Sequence, residues 1–247
     1  MSDLNDPLHD DALFVRPPAE RTPSALVGTS AGDVHADLVR WHDGAEHRVR
    51  RQRIERFIQT LNIRRLGDRA MAVAAESSDR DAAPFHVPLR VMAEAVGVSA
   101  EDAGRAAALA GAVARGMGPG ASGDPGEAVD AVPELLQLVR GDETLDAANR
   151  IGLLLQTCDA VADLVRSALT RPGTTPLGLD QARQLVVTAL LDHPPVRVAR
   201  RFRADGELVT VDIGGRPFGA GPHRCPGEEL AIELTAGTVA GLRRARS

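Results

Sequence analysis

The stretch from Asp142 to Thr170 carries the longest unbroken helical spacing in this 247-residue chain. It therefore constrains the fold more than any other feature. A continuous helix over it would run about 43 Å at about 1.5 Å per residue. Its middle, IGLLL at 151–155, is apolar, and Gln156, Thr157, Cys158 and Asp159 follow at once. Polar groups halfway along a buried helix need partners or a chemical task.

The flanking segments repeat the same period. Val34, Leu38 and Trp41 share a face before His42-Asp43-Gly44 interrupts. Between Ala45 and Leu61, Val49, Ile54, Phe57, Ile58 and Leu61 make an apolar stripe among arginines. Residues 65–77 predict a further helix. Pro84 and Pro88 are expected to bracket a break, with 89–97 helical beyond it. Ser99-Ala-Glu-Asp102 reads as a capping box opening a helix to Arg115. GMGPGASGDPG at 116–126 is expected to be a flexible loop, and a short helix then reaches Arg140. A Pro/Gly break at 171–179 precedes a helix over 180–192, ended by Pro194-Pro195. VRVARRF and ELVTVDI alternate, predicting two short strands about Ala204-Asp205-Gly206. A final helix is expected over 228–244. The expected fold class is mainly α with a small β patch. Residues 1–33, rich in Pro, Gly and Asp, predict an extended N-terminal arm, and 34–247 a single domain.

Composition removes several function classes. Apolar residues make up 43%, enough for a sizeable core. A net charge of −5 argues against nucleic-acid binding by bulk electrostatics. Six aromatic side chains, five Phe and one Trp, cannot build a stacking platform for single-stranded bases. The Arg-rich segment RVRRQRIER at 48–56 is the one hint of DNA binding, and it lacks helix-turn-helix glycine spacing. Cys158 and Cys225 have no C-x-x-C partners, so a zinc site fails and free thiols in a reducing compartment are expected. No run approaches 18 apolar residues, and the acidic start MSDLNDPLHDD is no signal peptide. The expectation is a soluble cytoplasmic protein with neither a membrane nor a nucleic-acid partner.

The most informative loop is Phe218-Gly-Ala-Gly221-Pro-His223-Arg-Cys225-Pro-Gly227. Its glycines let backbone turn tightly and approach a flat ligand. Cys225 lies just before a helix opened by Pro226, where N–H donors and the helix dipole are expected to favour thiolate. A thiolate held in such a loop can ligate a metal.

This F-x-x-G-x-H-x-C-x-G pattern resembles the haem-ligating loop of the cytochrome P-450 family. The resemblance implies a truncated fold of that family, haem (iron protoporphyrin IX) as cofactor, and Cys225 as the iron ligand. Phe218, Gly221 and Gly227 match the loop's other fixed positions. DGAEHRVRR is similar to the family's helix in which a His and an Arg hold a haem propionate. His47 and Arg51 sit there, four residues apart on one helical face. PPVRVARR is similar to the family's strand carrying another propionate partner, which would be Arg200, and His223 matches a fourth. LLLQTCDAVADLV is similar to the central helix crossing the haem on the oxygen side. It implies a catalytic segment at Gln156, Asp159 and Ala160, with Asp159 as proton relay. Ala160 stands where the family has Thr and offers no hydroxyl.

The chain also departs from the family. It is shorter, its connections on either side of the long helix are abbreviated, and Thr188 and Leu191 stand where a Glu-x-x-Arg pair is usual. Two functions follow from the resemblance. One is a haem-thiolate oxidoreductase, monooxygenase or peroxygenase, acting on a small organic molecule in secondary metabolism. The other is a catalytically impaired helper that binds a partner enzyme. The Arg-rich helix implies a docking face for an acidic redox partner. The missing scaffold leaves room for a homodimer.

Overall fold

The computed structural model describes residues 6–20, 22–118, 121, 123–172 and 176–244. Parts of the expected arm and of the loops at 116–126 and 171–179 lie outside these residues. The helices are α1 (Ser30–Asp37), α2 (Gly44–Thr60), α3 (Ile63–Glu76), α4 (Ala83–Ala95), α5 (Ala103–Met117), α6 (Pro125–Leu138), α7 (Ala147–Thr157), α8 (Asp159–Leu169), α9 (Leu179–Asp192) and α10 (Glu228–Arg244). β1 (Val198–Phe202) and β2 (Leu208–Asp212) form one antiparallel pair, with Arg200 opposite Thr210. The mainly α class with a small β patch is thus observed. No helix among the described residues is long and apolar enough to cross a membrane.

Side-chain caps explain several helix starts. Asn62 accepts from Arg65 N–H, Asp124 from Gly126 N–H, and Asp146 from Asn149 N–H. α10 lies along α3 and also packs on α9, α8 and α4. Glycine makes that closeness possible. A Cβ on Gly237 would sit 2.1 Å from the Gly67 carbonyl oxygen, and one on Gly241 2.2 Å from that of Met71. Glu233, almost fully buried on α10, takes Arg183 of α9 at 3.1 Å and Arg64 of α3 at 3.5 Å. Charge pairing therefore does link these helices, from positions other than the exposed Thr188 and Leu191.

Three local expectations are corrected. The helix expected over 142–170 is two helices. Asp146 caps the first, and the chain bends at Cys158, with φ −59° and ψ −94°. Thr157 Oγ1 donates to the Leu153 carbonyl at 2.8 Å, a bond that competes with the backbone ladder and bends helices. No break separates Pro84 from Pro88, and α4 runs through both. Pro84 occupies the first turn, where no N–H is needed, and burial of Pro88 outweighs its missing bond. Ser99 Oγ accepts from Asp102 N–H at 3.1 Å, but the helix itself starts at Ala103.

Candidate active site

The site grows from the start of α2. Asp43 precedes this helix without capping it. Instead its carboxylate accepts from Val15 N–H at 3.1 Å and lies 3.1 Å from His223 Nε2. Burial pushes the Asp43 carboxyl up, but the His223 and Val15 hydrogen bonds with the His223 and Arg201 charges hold it below its ordinary value. One turn on, the buried His47 ring sits 3.9 Å from the His223 ring. Burial, then the His223 and Arg51 charges, drive His47 down to about 4, so it is neutral at pH 7.

The cysteine loop reaches this point through left-handed glycines, Gly219 at φ +71° and Gly221 at φ +68°. A side chain at 221 would also collide with the Leu8 carbonyl oxygen, 2.3 Å from a Cβ there. Cys225 N–H closes the loop on the Phe218 carbonyl at 2.9 Å. A cavity of about 600 Å³ opens here, lined by Arg51, Glu55, Ile58, Arg224, Cys225 and Glu228 among others. Burial raises the Cys225 thiol above its ordinary value, and this outweighs the Gly227 N–H and the Arg51 and Arg224 charges. The expectation that the helix start alone favours thiolate is corrected: α10 begins three residues later, and desolvation of sulfur dominates.

The structure brings His47 beside His223, and Arg51 into the same cavity wall as Cys225. Arg51 Nε donates to Glu55 Oε1 at 2.7 Å. Phe218 packs against the main core, and Gly221 and Gly227 are half-buried in the loop. Arg200 lies apart from these groups, exposed on the outer face of β1 with Val198. Its neighbour Arg201 is half-buried on the inner face and feels the Asp43 charge. Gln156 and Asp159 are exposed at the α7–α8 bend, Ala160 is half-buried, and none of the three lines the cavity.

Sequence reasoning missed Asp43 and Arg201. For Asp43 a signal existed, its place one residue before a helix rich in His and Arg. For Arg201 strand parity misleads. In VRVARRF it is Arg200 that shares the parity of the valines, yet β2 turns its own Val209 and Val211 inward, opposite Arg201 and Ala199.

No family model matches this chain. The cytochrome P-450 monooxygenase DoxA of Streptomyces sp. strain C5 is 28% identical over an alignment of 319 positions, covering 96% of this chain and 74% of that protein. A cytochrome P450 from Thermus thermophilus, crystallised in a 6-coordinated state, superposes with a TM-score of 0.69 at 14% identity, over 96% of this chain and 81% of its own. P450BioI, solved with an acyl carrier protein bearing hexadec-9Z-enoic acid, gives 0.68 at 15% identity, over 94% and 81%. Similarity across nearly the whole chain and a shared architecture agree with the cysteine loop: this chain has a cytochrome P-450 fold, shortened and divergent.

Proposed function

We propose that the protein is a haem-thiolate oxidoreductase that acts on a small organic molecule in secondary metabolism, with Cys225 as the iron ligand. The observation that carries this reading is the set of groups around one cavity. A loop-held sulfur and the guanidinium of Arg51 line the cavity, and the paired rings of the neutral His47 and of His223 stand on the same helix and loop. Sulfur suits iron, and guanidinium and imidazole suit carboxylates, so the donor set fits a thiolate-bound porphyrin with two acidic tails. When bound, haem would supply oxidative chemistry, and Cys225 would hold its iron and donate electron density to it.

The chain's own residues have definable tasks in this reading. Gly227 N–H, Arg51 and Arg224 stabilise negative charge on Cys225 Sγ once its proton leaves. Arg51 is half-buried and shares its charge between Glu55 and the cavity. Asp159 is exposed at the bend after Cys158, while the half-buried Ala160 holds no alcohol to pass a proton inward. This arrangement suits a peroxide-driven reaction better than one needing a long proton relay.

The exposed Arg48, Arg53 and Arg56 of α2 offer an acidic redox partner a basic surface. Protein docking has a parallel in P450BioI with its carrier protein. Both cysteines are free thiols, which accords with a cytoplasmic enzyme. No observation favours the helper reading over this one.

The test is an absorption spectrum of purified protein, reduced and exposed to carbon monoxide. A strongly red-shifted Soret band is expected, and Cys225→Ala abolishes it. Turnover with hydrogen peroxide is then compared with turnover by a reductase and dioxygen. A protein that takes up no haem, yet is recovered in stoichiometric complex with another enzyme, would sink the proposal.

A further inference from the structure

The N-terminal segment lies across the cysteine loop. Pro7–His9 forms one turn of 3₁₀ helix and packs on a second such turn, Gly221–His223, within the loop. The contact is backbone against backbone, since the Leu8 carbonyl oxygen fills the place that a Cβ on Gly221 would need. The Leu8 side chain sits with Val211 and Ile213, and Ala220 of the loop packs against this cluster.

Both ends of this segment are tied down. At one end the Asp6 carboxylate pairs with the Arg216 guanidinium, and Asp6 Oδ1 accepts from Leu8 N–H at 3.0 Å. The Arg216 hydrogen bond, then that of Leu8 N–H, hold the Asp6 carboxyl below its ordinary value. At the other end Phe14 and Phe202 exchange N–H···O bonds of 2.8 Å. Val15 N–H there donates to Asp43, whose carboxylate also contacts His223 of the loop.

From Arg216 the path to sulfur is short. Arg216 N–H donates to the Ile213 carbonyl at 2.8 Å, and the Arg216 carbonyl accepts from Gly219 N–H at 2.7 Å. Phe218, between them, takes Cys225 N–H on its own carbonyl. Gly219 and Gly221 hold left-handed conformations that an unrestrained glycine readily leaves, so the loop keeps one shape only where contacts impose it. Its internal bonds and the packing of Phe218 impose part of that shape, and the segment across it imposes another part.

We infer that residues 6–15 are a strap on the cysteine loop, and that Asp6, acting through Arg216, is a positioning residue for Cys225. The strap keeps the sulfur in the cavity wall before any ligand is present. Loosening it lets the loop open, and the thiol that burial now shields meets solvent. The importance of Cys225 rests on the haem reading above; the coupling of strap to thiol does not.

The experiment uses the ligand-free full chain and the neutral reagent N-ethylmaleimide, with the modified cysteine read by mass spectrometry. The chain carries its own control. Cys158 is almost sealed in the core, so its labelling reports general unfolding, whereas that of Cys225 reports opening of the loop. Asp6→Asn and Arg216→Met are each expected to speed Cys225 labelling about threefold or more, the scale of one partly exposed ion pair, with Cys158 unchanged. The two together do no more than either alone. Arg216→Lys, which keeps the charge, stays close to the wild type.

Unchanged Cys225 labelling in both variants refutes the strap. So does a rise that Cys158 follows in step, because that is a general loss of stability. Labelling that Arg216→Lys speeds as much as Arg216→Met refutes the charge of Asp6 as the positioning contact. If neither variant folds, Phe14→Pro, which removes one bridge bond at the far end of the strap, is read in the same way. Haemin is added last, as a separate reading. Protection of Cys225 in the wild type supports the haem reading, and labelling that haemin leaves unchanged refutes that reading and keeps the strap.

Discussion

Two halves of this molecule are held together by different physics. The block of α3, α4, α5, α8, α9 and α10 is apolar and close-packed, with Leu89, Met92, Leu154 and Leu234 almost sealed from water. The half built from the N-terminal segment, the α1–α2 corner, the strand pair and the cysteine loop sends Val34, Leu38 and Phe57 into that same core, and beyond it has a small apolar centre of its own, Leu8 with Val211 and Ile213. Directional contacts do the rest there: Phe14 paired with Phe202, Asp6 with Arg216, and Asp43 with Val15 and His223. The difference teaches where function can reside. A core closed by burial offers a ligand few polar groups, whereas a region closed by hydrogen bonds and charges can present several.

The contrast breaks most sharply at Gly237. A valine there would drive its Cβ into the Gly67 carbonyl, so Gly237→Val is expected to lose more than about 4 kcal/mol and to leave little folded protein. Circular dichroism with urea titration reads this. Near-normal stability would mean that α3 and α10 do not touch backbone to backbone.

A matched pair of truncations sharpens the contrast at smaller size. Leu154→Ala opens a cavity in the dense block and is expected to cost about 3–4 kcal/mol. Leu8→Ala, in the small cluster that can relax, is expected to cost about half of that. Equal losses would show that the second half is packed as tightly as the first.

Acid separates the halves most gently. His35 and His47, both in the hydrogen-bonded half, are held near 4 against an ordinary 6.5. The unfolded chain therefore binds protons that the folded chain refuses as pH falls from 6.5 toward 4. Their contribution is complete above 6.5 and lost through that window. Asp43, held below its ordinary range, adds a further loss at lower pH, as the folded carboxyl finally protonates. Melting curves between pH 7.5 and 2 are expected to show both phases, and His35→Gln to flatten the first. An identical curve for that variant would remove His35 from the account.

Several features were readable before any coordinates. Period-3.6 stripes located most helices, and alternation about Ala204-Asp205-Gly206 located the strand pair. One loop with Gly, His and Cys at fixed spacing carried the family resemblance. What escaped was governed by contacts between distant segments. The bend at Cys158 depends on a hydroxyl bonding back to Leu153, and α4 runs through Pro88 because its neighbours bury it. The inner face of β1 was set by its register with β2, which puts Arg201 on that face and Arg200 on the outer one. Arg216 looked like one more arginine in a chain whose 29 basic residues are all arginine.

By itself, then, the order of residues determined which segments coil, where they turn and which sulfur is presented by a glycine loop, because those follow from local backbone preferences and periodicity. Only the tertiary structure decided which charges lose their water, and with it which histidines stay neutral and which guanidinium pairs with Asp6. Desolvation depends on everything packed around a group, and that surrounding is assembled from parts of the chain more than a hundred residues apart, as His47 against His223 illustrates.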